Sequence, residues 1–235
     1  MKGRFTLVLI AVLGLCAGNA VAEMFTITIE NIGVQPITPA FVATHGTLFD
    51  MFDEGAAASA ELVAIAEGGD TGPMVTLAGG SADVLDFGVG DFLAPGESTS
   101  VTVMADMDHP YLSLAAMLAM TNDGFIGLAY GDDALNLYRA GMPQSYDFTI
   151  SYLDVWDAGS ELNTELAADV PGLGGSGSPD ENGVITRPHQ GILGVGDVPM
   201  SFDFFGHDVA RIMVVPEPAA LSLLAVGALL VFRRR

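Results

Sequence analysis

Several short stretches of this chain alternate strictly between apolar and polar residues, the period of a half-buried strand. Met24 to Glu30 puts Phe25, Ile27 and Ile29 on one face. Ser98 to Ala105 does the same with Val101 and Val103, and Tyr146 to Tyr152 with Phe148 and Ile150. Ala40 to Thr44, Phe125 to Tyr130 and Asp208 to Val215 read as further strands. Tyr111 to Met120 fits two templates: Leu112, Leu114, Ala116 and Leu118 alternate, while its alanines and methionines suit a helix. Glu54 to Glu67 is the clearest helix, with Ala58, Leu62 and Ile65 able to share a face and Gly68-Gly69 to end it. Thr71 to Gly90 is loose and glycine-rich, with Met74 to Ala78 as a short strand. Pro36 and Pro39, Pro95-Gly96, Thr121 to Gly124 and Asp132-Asp133 mark loops and turns. About seven or eight short strands with one or two short helices predict an all-β fold, an antiparallel β-sandwich. No internal repeat points to a propeller or solenoid.

Charge narrows the partners. The chain has 235 residues, 29 of them acidic and 8 basic. Between Glu23 and Val215 the basic residues are Arg139, Arg187 and Arg211 alone, while every acidic residue except Glu217 lies there. Such a domain repels nucleic acid and anionic lipid and attracts divalent cations. Half the residues are apolar or aromatic, so the composition is that of a folded chain. Cys16 is the only cysteine and falls in the leader, which leaves the remainder without disulfide or thiol chemistry.

Both ends read as targeting segments. Lys2 and Arg4, the apolar stretch Phe5 to Leu15 and the small-x-small Ala20-Val21-Ala22 form a signal peptide over 1–22, cleaved after Ala22. A lipoprotein anchored through Cys16 is the alternative. The domain then covers 23–215. At the other end, Pro216-Glu217-Pro218 precedes an apolar run, Ala219 to Phe232, and the basic tip Arg233 to Arg235. That run is short for a spanning helix, which needs about 20 residues. The order of these parts over 216–235 resembles the PEP-CTERM sorting signal of Gram-negative bacteria. The resemblance implies export, transient inner-membrane anchoring, and processing by an exosortase-type enzyme. A plain C-terminal anchor is the alternative; either way the domain faces outward.

The stretch Asp154 to Glu161 carries the most chemistry per residue. It holds the only tryptophan, Trp156, and three carboxylates, Asp154, Asp157 and Glu161, around a turn at Gly159. Ca²⁺ takes six to eight oxygens at about 2.3–2.6 Å, and a carboxylate-rich turn at a strand end can supply several. A solvated acidic turn beside a buried Trp is the other reading. Gly172 to Gly177 matches GxGxxG, but between Pro171 and Pro179 it is a flexible loop rather than the opening of a βαβ unit. His45, His109, His189 and His207 are scattered, with no HExxH, and read as surface or satisfied polar residues rather than zinc ligands. GxSxG is absent. Paired carboxylates for sugar chemistry form in space and leave no trace in spacing.

Two segments in order along the chain, Met117 to Leu128 with Asp123, and Trp156-Asp157-Ala158-Gly159-Ser160-Glu161, resemble the spondin-domain family, named from the F-spondin N-terminal region. Gly55 to Gly68, the Phe25 to Glu30 strand and Val209 to Ile212 add to it. The resemblance implies a β-sandwich with Ca²⁺ at one edge, held by Asp123, Asp157 and Glu161; the family has aspartate where this chain has Glu161. It also implies a non-enzymatic extracellular module acting in matrix attachment or adhesion, with extracellular polysaccharide or matrix as partner. The alternative is an exported polysaccharide hydrolase using paired carboxylates.

Overall fold

The computed structural model describes residues 22–131, 133–177 and 181–217. The expected signal peptide, except Ala22, and the expected sorting signal from Pro218 onward lie outside the described residues. Among the described residues no helix is long and apolar enough to cross a membrane.

The fold is all-β with antiparallel sheets and two short helices. In chain order its strands and helices are β1 (Glu23–Asn31), β2 (Phe41–His45), α1 (Ala60–Gly68), α2 (Gly72–Gly80), β3 (Val84–Val89), β4 (Ser98–Ala105), β5 (Tyr111–Met117) and β6 (Gly124–Leu128). The short pairs β7 (Leu135–Asn136), β8 (Tyr138–Arg139) and β9 (Met142–Pro143) follow, then β10 (Tyr146–Ser151), β11 (Val155–Asp157) and β12 (Asp208–Pro216). One sheet runs β10-β12-β1-β4; the other runs β11-β6-β5-β2-β3, with β7 beside β5. Their inward faces share one core. Phe25, Ile27 and Ile29 of β1 and Val101 and Val103 of β4 meet Leu112, Leu114 and Ala116 of β5 and Ile126 of β6.

A second apolar cluster lies on the other face of the second sheet. There Phe41, Ala43, Ala115, Phe125 and Trp156 meet Leu62 and Ile65 of α1 and Met74 and Ala78 of α2. This settles the two readings of Tyr111 to Met120. β5 is a central strand covered on both faces, so its apolar residues do not confine themselves to one parity. The same second layer corrects two expectations. Met74 to Ala78 is helix, not strand: Pro73 stands in the first turn and Met74 and Ala78, one turn apart, are the buried pair. The helix expected from Glu54 begins only at Ala60, where Ser59 caps it by accepting from the Leu62 N–H at 3.2 Å. The preceding residues bond across the fold instead: Gly55 N–H donates to Ile185 O, and Ile185 N–H to Ala56 O.

β3 was not expected, since its residues are only half-buried and include Gly88. It is held by antiparallel pairing with β2. β12 continues through Pro216, and the Glu217 N–H donates to Met24 O at 2.7 Å, so pairing with β1 extends past the expected boundary at Val215.

Candidate metal centre

The centre forms where β6 begins and β11 ends, because these strands are paired with Asp157 opposite Gly124. That register sets Asp123, one residue before Gly124, against the turn that follows Asp157. The Thr121–Gly124 turn closes on itself: the Thr121 hydroxyl donates to Leu118 O at 2.7 Å, and its oxygen accepts from the Gly124 N–H at 2.9 Å. After Asp157 the chain turns through Gly159, which has φ +63°; a Cβ there would lie 2.5 Å from Val184 O, so the position requires glycine.

Asp123 is fully buried. Its Oδ2 accepts from the Ser160 N–H (2.8 Å), the Ser160 hydroxyl (3.2 Å) and the Glu161 N–H (3.0 Å). Its Oδ1 is buried and accepts no hydrogen bond. Asp157 accepts from the Gly159 N–H through Oδ1 at 2.9 Å and from Asn163 Nδ2 through Oδ2 at 2.8 Å. Carboxylate oxygens of Asp123 and Asp157 and a ring nitrogen of His189 all lie within 4.8 Å of one another.

Electrostatics at the cluster is adverse without a cation. Burial, together with the Asp157 charge, pushes the Asp123 carboxyl up to about 6, although the three hydrogen bonds on Oδ2 oppose the rise. Burial lowers the basicity of His189 despite the neighbouring Asp157 and Glu165 charges, so the ring is neutral near pH 7. A divalent cation between the two carboxylates would offset both burial and repulsion. The donor set fits such an ion: hard oxygens from two carboxylates, one with an oxygen buried and unpaired.

The expected ligands therefore divide. Asp123 and Asp157 come together. Glu161 is buried, gives its backbone N–H to Asp123, and turns its carboxylate toward Gly177, where a Cβ would fall 2.6 Å from Oε1. Its side chain is not part of the compact set. Asp154, three residues before Asp157, serves elsewhere: its Oδ2 accepts from the Ser151 N–H (3.1 Å) and hydroxyl (2.7 Å), capping a single 3-10 turn. Trp156 is buried, donates from Nε1 to Gly127 O at 3.1 Å, and carries the Arg187 guanidinium over its ring at 4.2 Å. His189 is the residue that sequence reasoning passed over. No spacing rule links it to Asp157; only the fold of the segment after β11 brings it in.

The surrounding loops are tied to the same turn. Asn122 Oδ1 accepts from the Glu165 N–H at 3.2 Å, and the Glu165 carboxylate in turn accepts from the N–H groups of Leu193 and Val195. Hydrogen bonds thus link the turn that carries Asp123 to the loop at Glu165 and, through Glu165, to the loop at Leu193 and Val195.

Two other places bear on catalysis. A cavity of about 260 Å³ between β10 and β6 is lined by Asp133, Asp154 and Arg187 with Leu128, Phe148 and Ile150. Asp133 there is ion-paired with Arg187 and Asp154 is bonded to Ser151. Inside the second sheet, Ser113 and His45 form a pair at 2.8 Å, with His45 Nδ1–H donating to Gly46 O at 2.7 Å. Both are fully buried, behind the rings of Phe49, Tyr111 and Tyr130. The spacing is that of a nucleophile and base, and both side chains are buried in the interior.

No protein-family model matches the chain, and no curated protein matches it.

Proposed function

We propose that this chain is an exported, calcium-binding structural module, a β-sandwich with a matrix or adhesion role and no catalysis. The observation that carries the reading is Asp123. A fully buried carboxylate with one oxygen unpaired beside a second carboxylate is costly in isolation, and a hard cation there turns the cost into a bond. Asp123 and Asp157 would hold Ca²⁺, with water and further oxygens completing the shell. The ion supplies charge neutralisation, clamping the β5–β6 turn to the turn after β11. The spondin-domain resemblance supports the same two residues and adds Glu161, whose backbone already bonds Asp123. The resemblance at the C-terminus supports export and processing by an exosortase-type enzyme, with Pro216, Glu217 and Pro218 as its motif. Extracellular polysaccharide or matrix is the partner this reading implies.

The rival, a polysaccharide hydrolase, calls for two facing carboxylates free to act as acid and base. The cavity holding Asp133 and Asp154 is its best location, and both are already engaged, by Arg187 and Ser151 respectively. The test is thermal unfolding in chelator and in millimolar Ca²⁺. Calcium should raise Tm in the wild type, by about 2.7 kcal/mol of stability at 100 times Kd, and leave Asp123→Ala and Asp157→Ala unmoved. An unmoved wild type, shown free of retained metal, would remove calcium from the reading.

A further inference from the structure

His189 stands beside the proposed cation site, and its two ring nitrogens have different partners. The inference rests on the metal reading given above. The Gly191 N–H points at His189 Nδ1 at 3.0 Å. A backbone N–H can only donate, so Nδ1 supplies the lone pair and the proton of the neutral ring sits on Nε2. Nε2 is the nitrogen that faces the carboxylates: it lies 3.3 Å from Asn163 Oδ1 and 3.8 Å from Asp157 Oδ2. The second distance is too long for a hydrogen bond, so the proton goes to Asn163. Asn163 then passes its own Nδ2–H to Asp157 Oδ2 at 2.8 Å. The donations run from Gly191 to His189, from His189 to Asn163 and from Asn163 to Asp157, in one direction and without a gap.

We propose that His189 is a positioning residue and not a ligand: through Asn163 it holds Asp157 toward a hard, oxygen-seeking divalent cation, and it withholds the nitrogen lone pair that Zn²⁺ would need. For Nε2 to bind zinc the proton would have to move to Nδ1, where it would face the Gly191 N–H inside the core, donor against donor. Partners that orient a ligand carboxylate in this way are worth a substantial part of metal affinity. The independent sign that the place takes an ion is the buried, unpaired Oδ1 of Asp123.

The experiment uses Tb³⁺, a hard Ca²⁺ analogue, on the full-length chain, with emission excited through Trp156, the only tryptophan and the neighbour of Asp157. Ca²⁺ should displace Tb³⁺, and Zn²⁺ at the same concentration should not. His189→Gln and Asn163→Ala should each weaken Tb³⁺ and Ca²⁺ roughly 10–100-fold. The double variant should be no weaker than the worse single one, because both cut the same relay. If Zn²⁺ displaces Tb³⁺ at lower concentration than Ca²⁺, His189 is a ligand and the inference falls. It also falls if Asn163→Ala binds as the wild type does, or if the two losses multiply. The zinc competition uses the wild type alone, so a poorly folding variant does not remove the test. A wild type that binds no Tb³⁺ would overturn the metal reading itself, and this inference with it.

Discussion

Asp123→Asn should stabilise the metal-free protein and at the same time abolish its response to calcium. Asparagine keeps the shape of the side chain. Its Oδ1 can take the bonds from Ser160 and Glu161 that now fall on Asp123 Oδ2, and its Nδ2 then replaces the unpaired oxygen. The Asp123 carboxyl is pushed from 3.8 to about 6, by burial first and the Asp157 charge second. That is roughly two pH units at about 1.4 kcal/mol each, so ionised Asp123 costs the metal-free fold about 3 kcal/mol near pH 7. Some of that gain is lost, because hydrogen bonds to a charge are stronger than those to an amide. A net gain of about 1–3 kcal/mol is expected, or roughly 2–10 °C in Tm for a domain of this size.

The pH dependence has a definite sign. Because the folded-state value is raised, the native state binds more protons than the unfolded chain between pH 4 and 6. The penalty is complete above about pH 6 and gone below about pH 4. The advantage of Asp123→Asn in chelator should therefore shrink steadily as pH falls through that window. The depressed basicities of His45 and His189 act oppositely but are common to both proteins and largely cancel in the difference. The assay is paired thermal or urea unfolding of wild type and variant in chelator from pH 7.5 to 4, repeated with millimolar Ca²⁺ at pH 7.5. A variant less stable than wild type in chelator at pH 7.5, or one still stabilised by calcium, would refute the reasoning.

Gly159→Ala should cost about 2–4 kcal/mol in urea unfolding and weaken calcium binding, since the left-handed backbone and the 2.5 Å approach to Val184 O both exclude a Cβ. Ser113→Ala should cost roughly 1–3 kcal/mol by leaving His45 Nε2 without its donor inside the second sheet, while the calcium midpoint stays where it was; a shifted midpoint would mean that this pair is coupled to the site. In the Asp123→Asn background, stability should fall as pH drops below about 6.5, because His45 and His189 have lowered folded-state values and the unfolded chain binds those protons first. His45→Phe should reduce that acid slope, as read from Tm against pH. Arg187→Ala should change Trp156 emission by removing the cation 4.2 Å from its ring, and should leave calcium affinity within a few-fold of wild type.

Periodicity determined the strands with one wet face. β1, β4 and β12 each bury alternate residues, and the chain announces them because a pleated strand exposes every second side chain to a different medium. Local chemistry likewise marked the Thr121–Gly124 turn, the Gly68-Gly69 stop and the acidic turn around Gly159. Asp123 and Asp157 could be named as a pair through resemblance to a known motif order. What the chain could not reveal locally is what covers the second face of a sheet. β5 lost its clean alternation because α1 and α2 pack on the side away from the first sheet, and α2 itself read as strand because its two buried residues are too few to set a period. Gly55 and Ala56 stayed out of the helix because Ile185, far along the chain, supplies backbone partners for them. The same rule governs the site. Glu161 gives its backbone N–H to Asp123 while its carboxylate lies toward Gly177. His189 was passed over yet stands 3.8 Å from Asp157. Sequence fixes which donors and acceptors exist; only packing decides which lone pair and which proton face the same point, because those directions depend on backbone contributed by segments distant in the chain.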